Sequence, residues 1–382
     1  MKPITENIIE QSAIEILQSQ GWEYANGKEI SPEGLFCERE SFSQVVLLSR
    51  LRTAIAKINP TIPLDAQEAA VQKVLRIASP DLLHNNEEFH RLLVEKVKIP
   101  YQQNGYERSH EVALIDFENP TNNQFLVVNQ YTIIENNQNK RPDVLLFVNG
   151  LPLVVIELKN AASENADIKS AYQQIQTYKA IIPSLFTYNT ICILSDGLEC
   201  KAGSVSADLS RYMTWKTADG IKEASRFKPQ LETLLKGMLQ PATLLDLVRN
   251  FIVFEKSKKE DAKTGLIQIQ TVKKLAAYHQ FFAVNKAVQS TVNASGENGD
   301  KRGGVVWHTQ GSGKSLSMVF YSGKLITSPE MKNPTIVVIT DRNDLDDQLF
   351  DTFASSVQLL RQEPVQAENR EHLKELLKVA SG

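Results

Sequence analysis

Cysteine is scarce in this chain of 382 residues: Cys37, Cys192 and Cys200 are the whole complement. They lie far apart, are odd in number and form no Cys-x-x-Cys spacing, so they offer no zinc site and point to a reducing compartment. Long apolar runs are also lacking. None reaches the roughly 18 residues that a membrane helix needs. No apolar core of a signal peptide follows Met1, Lys2 and Pro3, so the expected location is cytoplasmic, with no membrane partner. An excess of one charge is missing too. Lys and Arg number 42 against 45 Asp and Glu, a net charge of −3, so no global basic field advertises nucleic acid and any DNA contact must be local. What remains is an ordinary folded composition, 42% hydrophobic and 23% charged, long enough for two or more domains.

The first helix is expected over residues 6–20, with Thr5 as its N-cap and Gly21 as its stop. Ile9, Ala13, Ile16 and Leu17 share one face at about 100° per residue. Glu10 projects onto that face. A carboxylate aimed at a core is costly unless something pairs with it, and the other reading puts Glu10 at the rim, reaching water. Residues 40–100 read as helical, with turns at Asn59-Pro60 and Ser79-Pro80. Strands are expected at 111–117, 124–132, 144–148, 153–158 and 190–194, and a helix at 165–181. Helix returns at 221–254. The charged run 255–261 reads as a connection. Beyond it the pattern gives a helix at 272–289, a strand at 305–307, a glycine-rich loop and helix, and a strand at 335–340.

Two clusters carry chemistry. Asp143 precedes the strand 144–148, Asn149-Gly150 turns the chain, and the returning strand ends in Glu157 and Lys159. Period two puts Glu157 and Lys159 on one face. Two carboxylates meeting at a hairpin can hold Mg²⁺, which takes hard oxygen ligands. The ion can activate a water and stabilise charge on a scissile phosphate, with a lysine to orient that water. A two-residue turn would place Asp143 on the wrong face. The sequence therefore predicts a three-residue bulged loop at 148–150, or a bulge near Pro142. On the next helix Gln174 and Tyr178 lie one turn apart, on one face. The segment resembles the PD-(D/E)xK nuclease superfamily, in its RecB-like branch. That resemblance implies a catalytic set of Asp143, Glu157, Lys159, Gln174 and Tyr178, with metal held by Asp143, Glu157 and, from the N-terminal helix, Glu10.

The second cluster is Gly311, Ser312, Gly313, Lys314 and Ser315, between an expected strand and a helix. Glycines let backbone N–H groups close on phosphates, Lys314 reaches the β/γ-phosphates and Ser315 a Mg²⁺ ion. His308 stands where the general phosphate-loop pattern has its first glycine. The run resembles superfamily 2 helicases, and Gln280 resembles their adenine-reading glutamine; the implied cofactors are ATP and Mg²⁺. Residues 339–348 sit where such motors carry a strand-contacting element.

Taken in order, residues 114–120, Arg141-Pro142-Asp143, Glu157-Leu158-Lys159, 307–315 and 340–348 resemble the restriction, or motor, subunit (HsdR) of type I restriction-modification enzymes. The implied fold class is α/β: a nuclease domain with a mixed sheet flanked by helices over 1–254, a charged linker at 255–262, and over 263–382 part of a RecA-like parallel α/β helicase domain. The resemblance implies double-stranded DNA as substrate, and methyltransferase and specificity subunits as partners. No Asp-Glu pair of the Walker B kind follows residue 340, so the chain reads as an N-terminal piece that does not turn over ATP alone. A repair nuclease-helicase and a non-catalytic docking module are the competing readings.

Overall fold

The computed structural model describes residues 6–103, 105–160, 167–225, 227–260 and 267–378. The chain divides into two compact units, Met1–Arg249 and Asn250–Gly382.

The first unit is built on a six-stranded mixed sheet. Its strands are β1 (Glu23–Asn26), β2 (Phe125–Asn129), β3 (Val144–Val148), β4 (Leu151–Leu158), β5 (Ile191–Ser195) and β6 (Cys200–Gly203). They lie side by side in that order. The β1–β2 and β4–β5 pairs are parallel and the others antiparallel. Every residue of β3 and β4 is buried, as continuous apolar runs demand when both faces of a sheet are covered. Helix α1 (Glu6–Ser19) buries Ile9, Glu10, Ala13, Ile14 and Leu17, and Gly21 leaves it at φ +91°. The Thr5 cap lies outside the described residues. Helix α2 (Ile168–Ile181) makes the crossover from β4 to β5. Asp167 and Ser170 cap each other at its start, and Pro183 follows its end. The helical stretch 40–100 becomes Leu48–Ile58, Leu64–Leu75 and Leu82–Glu95, broken at the two turns that the prolines mark.

Several expectations shift. The strand placed at 111–117 instead occupies Tyr106–Val112 and pairs with Val97–Gln103. After it, the Asp116 carboxylate takes the N–H groups of Glu118 and Asn119, and a backbone folded round its own side chain cannot run straight. Helix at 221–254 is restricted to Gln230–Met238 and Pro241–Asn250.

In the second unit, β7 (Ile252–Glu260) pairs antiparallel with β8 (Ile267–Leu275). The charged run read as a connection is therefore strand as far as Glu260; residues 261 and 262 lie outside the described residues. An antiparallel partner satisfies such a backbone whatever its side chains. The same pairing delays the helix expected at 272–289, which begins as α3 (Tyr278–Ser295). Helix α4 (Lys314–Thr327) follows the glycine-rich loop, and a helix Asn343–Ala354 begins within the expected strand-contacting element. Residues 305–307 and 335–340 are not strand; Val305 and Trp307 are exposed. Parallel strands are stable only between neighbours and under cover, and among the described residues these two segments have no paired neighbour. The parallel sheet expected here is accordingly not formed among those residues. No helix of the described residues is long and apolar enough to cross a membrane.

Candidate active site

The β3–β4 hairpin decides whether two carboxylates can meet. Asn149 and Gly150 have φ of +53° and +80°, and Val148 pairs with Leu151. That is a regular two-residue turn of the type that Asn-Gly favours, not the three-residue loop expected. Parity is restored further along. Phe147 pairs with Pro152 but Leu146 pairs with Val154, so Leu153 is an extra residue on β4. This bulge carries the ladder to Val144 opposite Ile156, and the next position brings Asp143 opposite Glu157, on one face. Pro152 cannot donate to the ladder, which favours an irregularity beside it.

The turn is fixed from outside. The Asn149 amide donates to the Leu114 carbonyl and to Asn123 Oδ1, both at 2.9 Å, and its oxygen accepts from the Gln124 N–H at 2.8 Å. Residues 114–120, prominent in the sequence, thus brace the hairpin instead of entering the site. A Cβ on Gly150 would lie 2.4 Å from the Leu47 carbonyl oxygen, so glycine is required there for space as well as for φ.

At the other end of the hairpin, Asp143 Oδ2 accepts the Leu158 N–H at 2.8 Å, and Lys159 Nζ donates to Glu157 Oε1 at 2.6 Å. Glu157 is 1% exposed, and its Oε2 has no hydrogen-bond partner among the described residues. Burial pushes both carboxyls up, Asp143 to about 6 and Glu157 to about 8, the Asp143 charge adding to the second shift. Burial acts to lower Lys159, but Glu157 and Asp143 outweigh it and keep the ammonium charged. On α2, Tyr178 is buried and donates to the Arg141 carbonyl at 3.3 Å, with Gln174 and Glu157 also at its hydroxyl. The structure therefore gathers Asp143, Glu157, Lys159, Gln174 and Tyr178 at one end of the two central strands, β3 and β4.

Glu10 faces inward and is 7% exposed. It lies near enough to Asp143 for its charge to raise that carboxyl, but its oxygens accept from Asn129 Nδ2 at 2.7 Å and Gln130 Nε2 at 2.9 Å. Among the described residues, no group of three or more His, Cys, Asp or Glu side chains is arranged to hold a metal. The carboxylates brought to a shared face are thus Asp143 and Glu157. Asn129 and Gln130 were missed in the sequence, although a signal existed. They end the apolar run 125–128, just as Glu157 ends 153–156.

In the second unit Gly311 and Gly313 take φ of +79° and +78°, the left-handed conformations that a phosphate-cradling loop uses. The Lys314 ammonium donates to the His308 and Thr309 carbonyls. Ser312 bends the loop and Ser315, half-buried, lies in the first turn of α4. Gln280 is not open as an adenine reader would be. Its oxygen accepts from the Ala277 N–H at 2.9 Å, and its nitrogen donates to the Gly313 carbonyl at 3.0 Å.

Comparison with known proteins adds the following. The family described as "Type I restriction enzyme R protein N terminus" matches residues 3–211, and the SWI2/SNF2 ATPase family matches residues 279–382. The chain is 48% identical over 378 residues to the type I restriction enzyme HindI endonuclease subunit of Haemophilus influenzae, covering 98% of this chain and 35% of that protein. It is 33% identical over 397 residues to the putative type I restriction enzyme MjaIXP endonuclease subunit of Methanocaldococcus jannaschii, covering 98% of this chain and 36% of that one. The chain thus spans about a third of the length of these relatives.

Proposed function

This chain belongs to the type I restriction enzyme R protein family, and we propose that its first unit is a Mg²⁺-dependent DNA endonuclease and its second a nucleotide-binding portion of an ATP-driven DNA translocase. The observation that carries the nuclease reading is the bulge at Leu153, which returns Asp143 to the face of Glu157 and Lys159. A bulge re-aims the residues beyond it, and here it sets the face on which two carboxylates lie.

The donor set suits a hard cation. Both groups offer oxygen only, and Glu157 is buried with Lys159 at one oxygen and the Tyr178 hydroxyl as its neutral neighbour, a carboxylate that a cation would further stabilise. When bound between Asp143 and Glu157, Mg²⁺ would supply a polarised water and offset phosphate charge. Asp143 is oriented by the Leu158 N–H. Lys159, held charged beside Glu157, is placed to neutralise a phosphate oxygen and to orient a water. Tyr178 and Gln174 close the site from α2 and hold its strand ends in place. In the second unit the Gly311–Ser315 loop would receive the ATP phosphates, with Gln280 bracing Gly313; reading adenine would require Gln280 to give up that bond.

The partners proposed for the complete enzyme are double-stranded DNA and the methyltransferase and specificity subunits of a type I complex, in the cytoplasm. The test is Mg²⁺-dependent nicking of plasmid DNA by the assembled enzyme. Cleavage lost in Lys159→Ala, with circular dichroism and assembly unchanged, supports the reading. Full cleavage by that variant refutes it.

A further inference from the structure

Gln130 carries the feature of this site that the nuclease reading leaves unexplained. It is a non-glycine residue in the left-handed region, φ +54°, a conformation that crowds the Cβ of an L residue. It stands one position past β2. There its backbone N–H donates to the Asp143 carbonyl at 3.1 Å, while its side chain donates to Glu10 Oε2 at 2.9 Å. One residue therefore ties the strand start that bears Asp143 to the helix that bears Glu10. Asn129 completes the hold. Its nitrogen donates to Glu10 Oε1, and its oxygen accepts from the Tyr24 hydroxyl at 3.1 Å.

These partners are chemically informative. Two amides meet the hydrogen-bonding needs of a carboxylate, but they carry no charge to offset it. A carboxylate kept only for packing would be better replaced by an amide, because a buried unpaired charge is among the costlier things a fold can hold. Glu10 nonetheless lies near enough to Asp143 for its charge to raise that carboxyl, and Gln130 bonds both the Glu10 side chain and the Asp143 backbone. Strained backbone clusters at functional sites because the surroundings enforce it for a reason other than stability.

We propose that Asn129 and Gln130 are positioning residues: they fix Glu10 as an anionic wall of the Asp143–Glu157 site, and so set its affinity for a divalent cation. The inference rests on the metal-nuclease reading and goes one step past it. Glu10 acts through its held charge, with its oxygens committed to the two amides, and need not be a direct ligand. Outer partners of this kind typically change metal affinity 10–100-fold.

Gln130→Gly separates the alternatives. Glycine adopts the left-handed conformation freely, keeps the N–H that reaches Asp143, and removes only the amide over Glu10. In EDTA the variant should melt at or above the wild-type temperature and bind duplex DNA equally. Titration calorimetry with Mn²⁺ or Mg²⁺, without DNA, should show affinity weakened roughly 10-fold or more. Glu10→Gln should do the same, and the double variant should be no worse than the weaker single one, since both act through one charge. Wild-type metal affinity in Gln130→Gly, or losses that add in the double variant, would overturn the proposal. Should Gln130→Gly not fold, Glu10→Gln alone decides: unchanged affinity overturns it. Asp143→Ala is the control for the underlying reading. If wild-type metal binding survives Asp143→Ala, that reading fails and this inference with it. If binding is lost there but intact in Gln130→Gly, only the inference fails.

Discussion

The Asp143 carboxylate caps the backbone of Leu158, accepting its N–H at 2.8 Å. The strand that carries Glu157 and Lys159 is thereby tied by one side chain to the strand start across the hairpin. The same bond keeps a buried carboxylate oriented although burial works against its charge.

That tension predicts a pH-dependent stability. Folding raises the Asp143 carboxyl from the ordinary carboxylate range to about 6. A raised carboxyl disfavours the folded state only when charged. The penalty is therefore absent below about pH 4, grows towards pH 6 and is complete above it. Asp143→Asn keeps an oxygen for the Leu158 N–H and removes the charge. In EDTA at pH 8 it should be more stable than wild type by on the order of 2 kcal/mol, with the difference shrinking at pH 5. Thermal melts at the two pH values check this; an equal difference at both would contradict it.

Asp143→Ala, Glu157→Ala and Lys159→Ala should each abolish DNA cleavage by the assembled enzyme and leave ATP hydrolysis near normal. The two sets of residues lie in separate units of the chain and share no member. Parallel cleavage and phosphate-release assays check it. Loss of both activities in any one variant would mean the sites are coupled. Gln174→Ala and Tyr178→Phe should lose only part of the cleavage rate.

Gly150→Ala should destabilise the first unit by roughly 2 kcal/mol or more, because the added methyl meets the Leu47 carbonyl in a conformation that L residues avoid. Urea melts measure it. The hairpin turn should also lose hydrogen-exchange protection before the rest of the sheet.

In the second unit, Gln280→Ala removes the bond that holds Gly313. One neutral hydrogen bond contributes about 0.5–1.5 kcal/mol, so binding of a fluorescent ATP analogue should weaken roughly two- to tenfold. Lys314→Ala, which removes the charge expected on the phosphates, should weaken it further. A Gln280→Ala variant that binds more tightly would show that the bond opposes nucleotide entry.

Much of the candidate site's geometry was legible because its signals are local. Glu157 and Lys159 are two apart on a strand, Gln174 and Tyr178 four apart on a helix, and Glu10 interrupts an apolar face; these five, with Asp143, lie in one region of the first unit. The bulge was misplaced because Asn-Gly suits both turn lengths and the run from Leu151 to Ile156 is apolar throughout, leaving Pro152 as the only local hint. Asn129 and Gln130 were invisible as partners of Glu10 because the contact spans 119 and 120 positions of chain. The strands expected at 305–307 and 335–340 failed for a different reason. Strand character there depends on neighbours in a sheet, not on the segment itself.

The hairpin behaves as a counting device. A strand has only two faces, so one residue inserted into the paired stretch of β4 between Val154 and Glu157, with turn and bulge unchanged, should move Asp143 off the face of Glu157, and a second insertion should return it. Deleting Leu153 alone should by contrast remove the unpaired residue together with its bulge and leave Asp143 opposite Glu157.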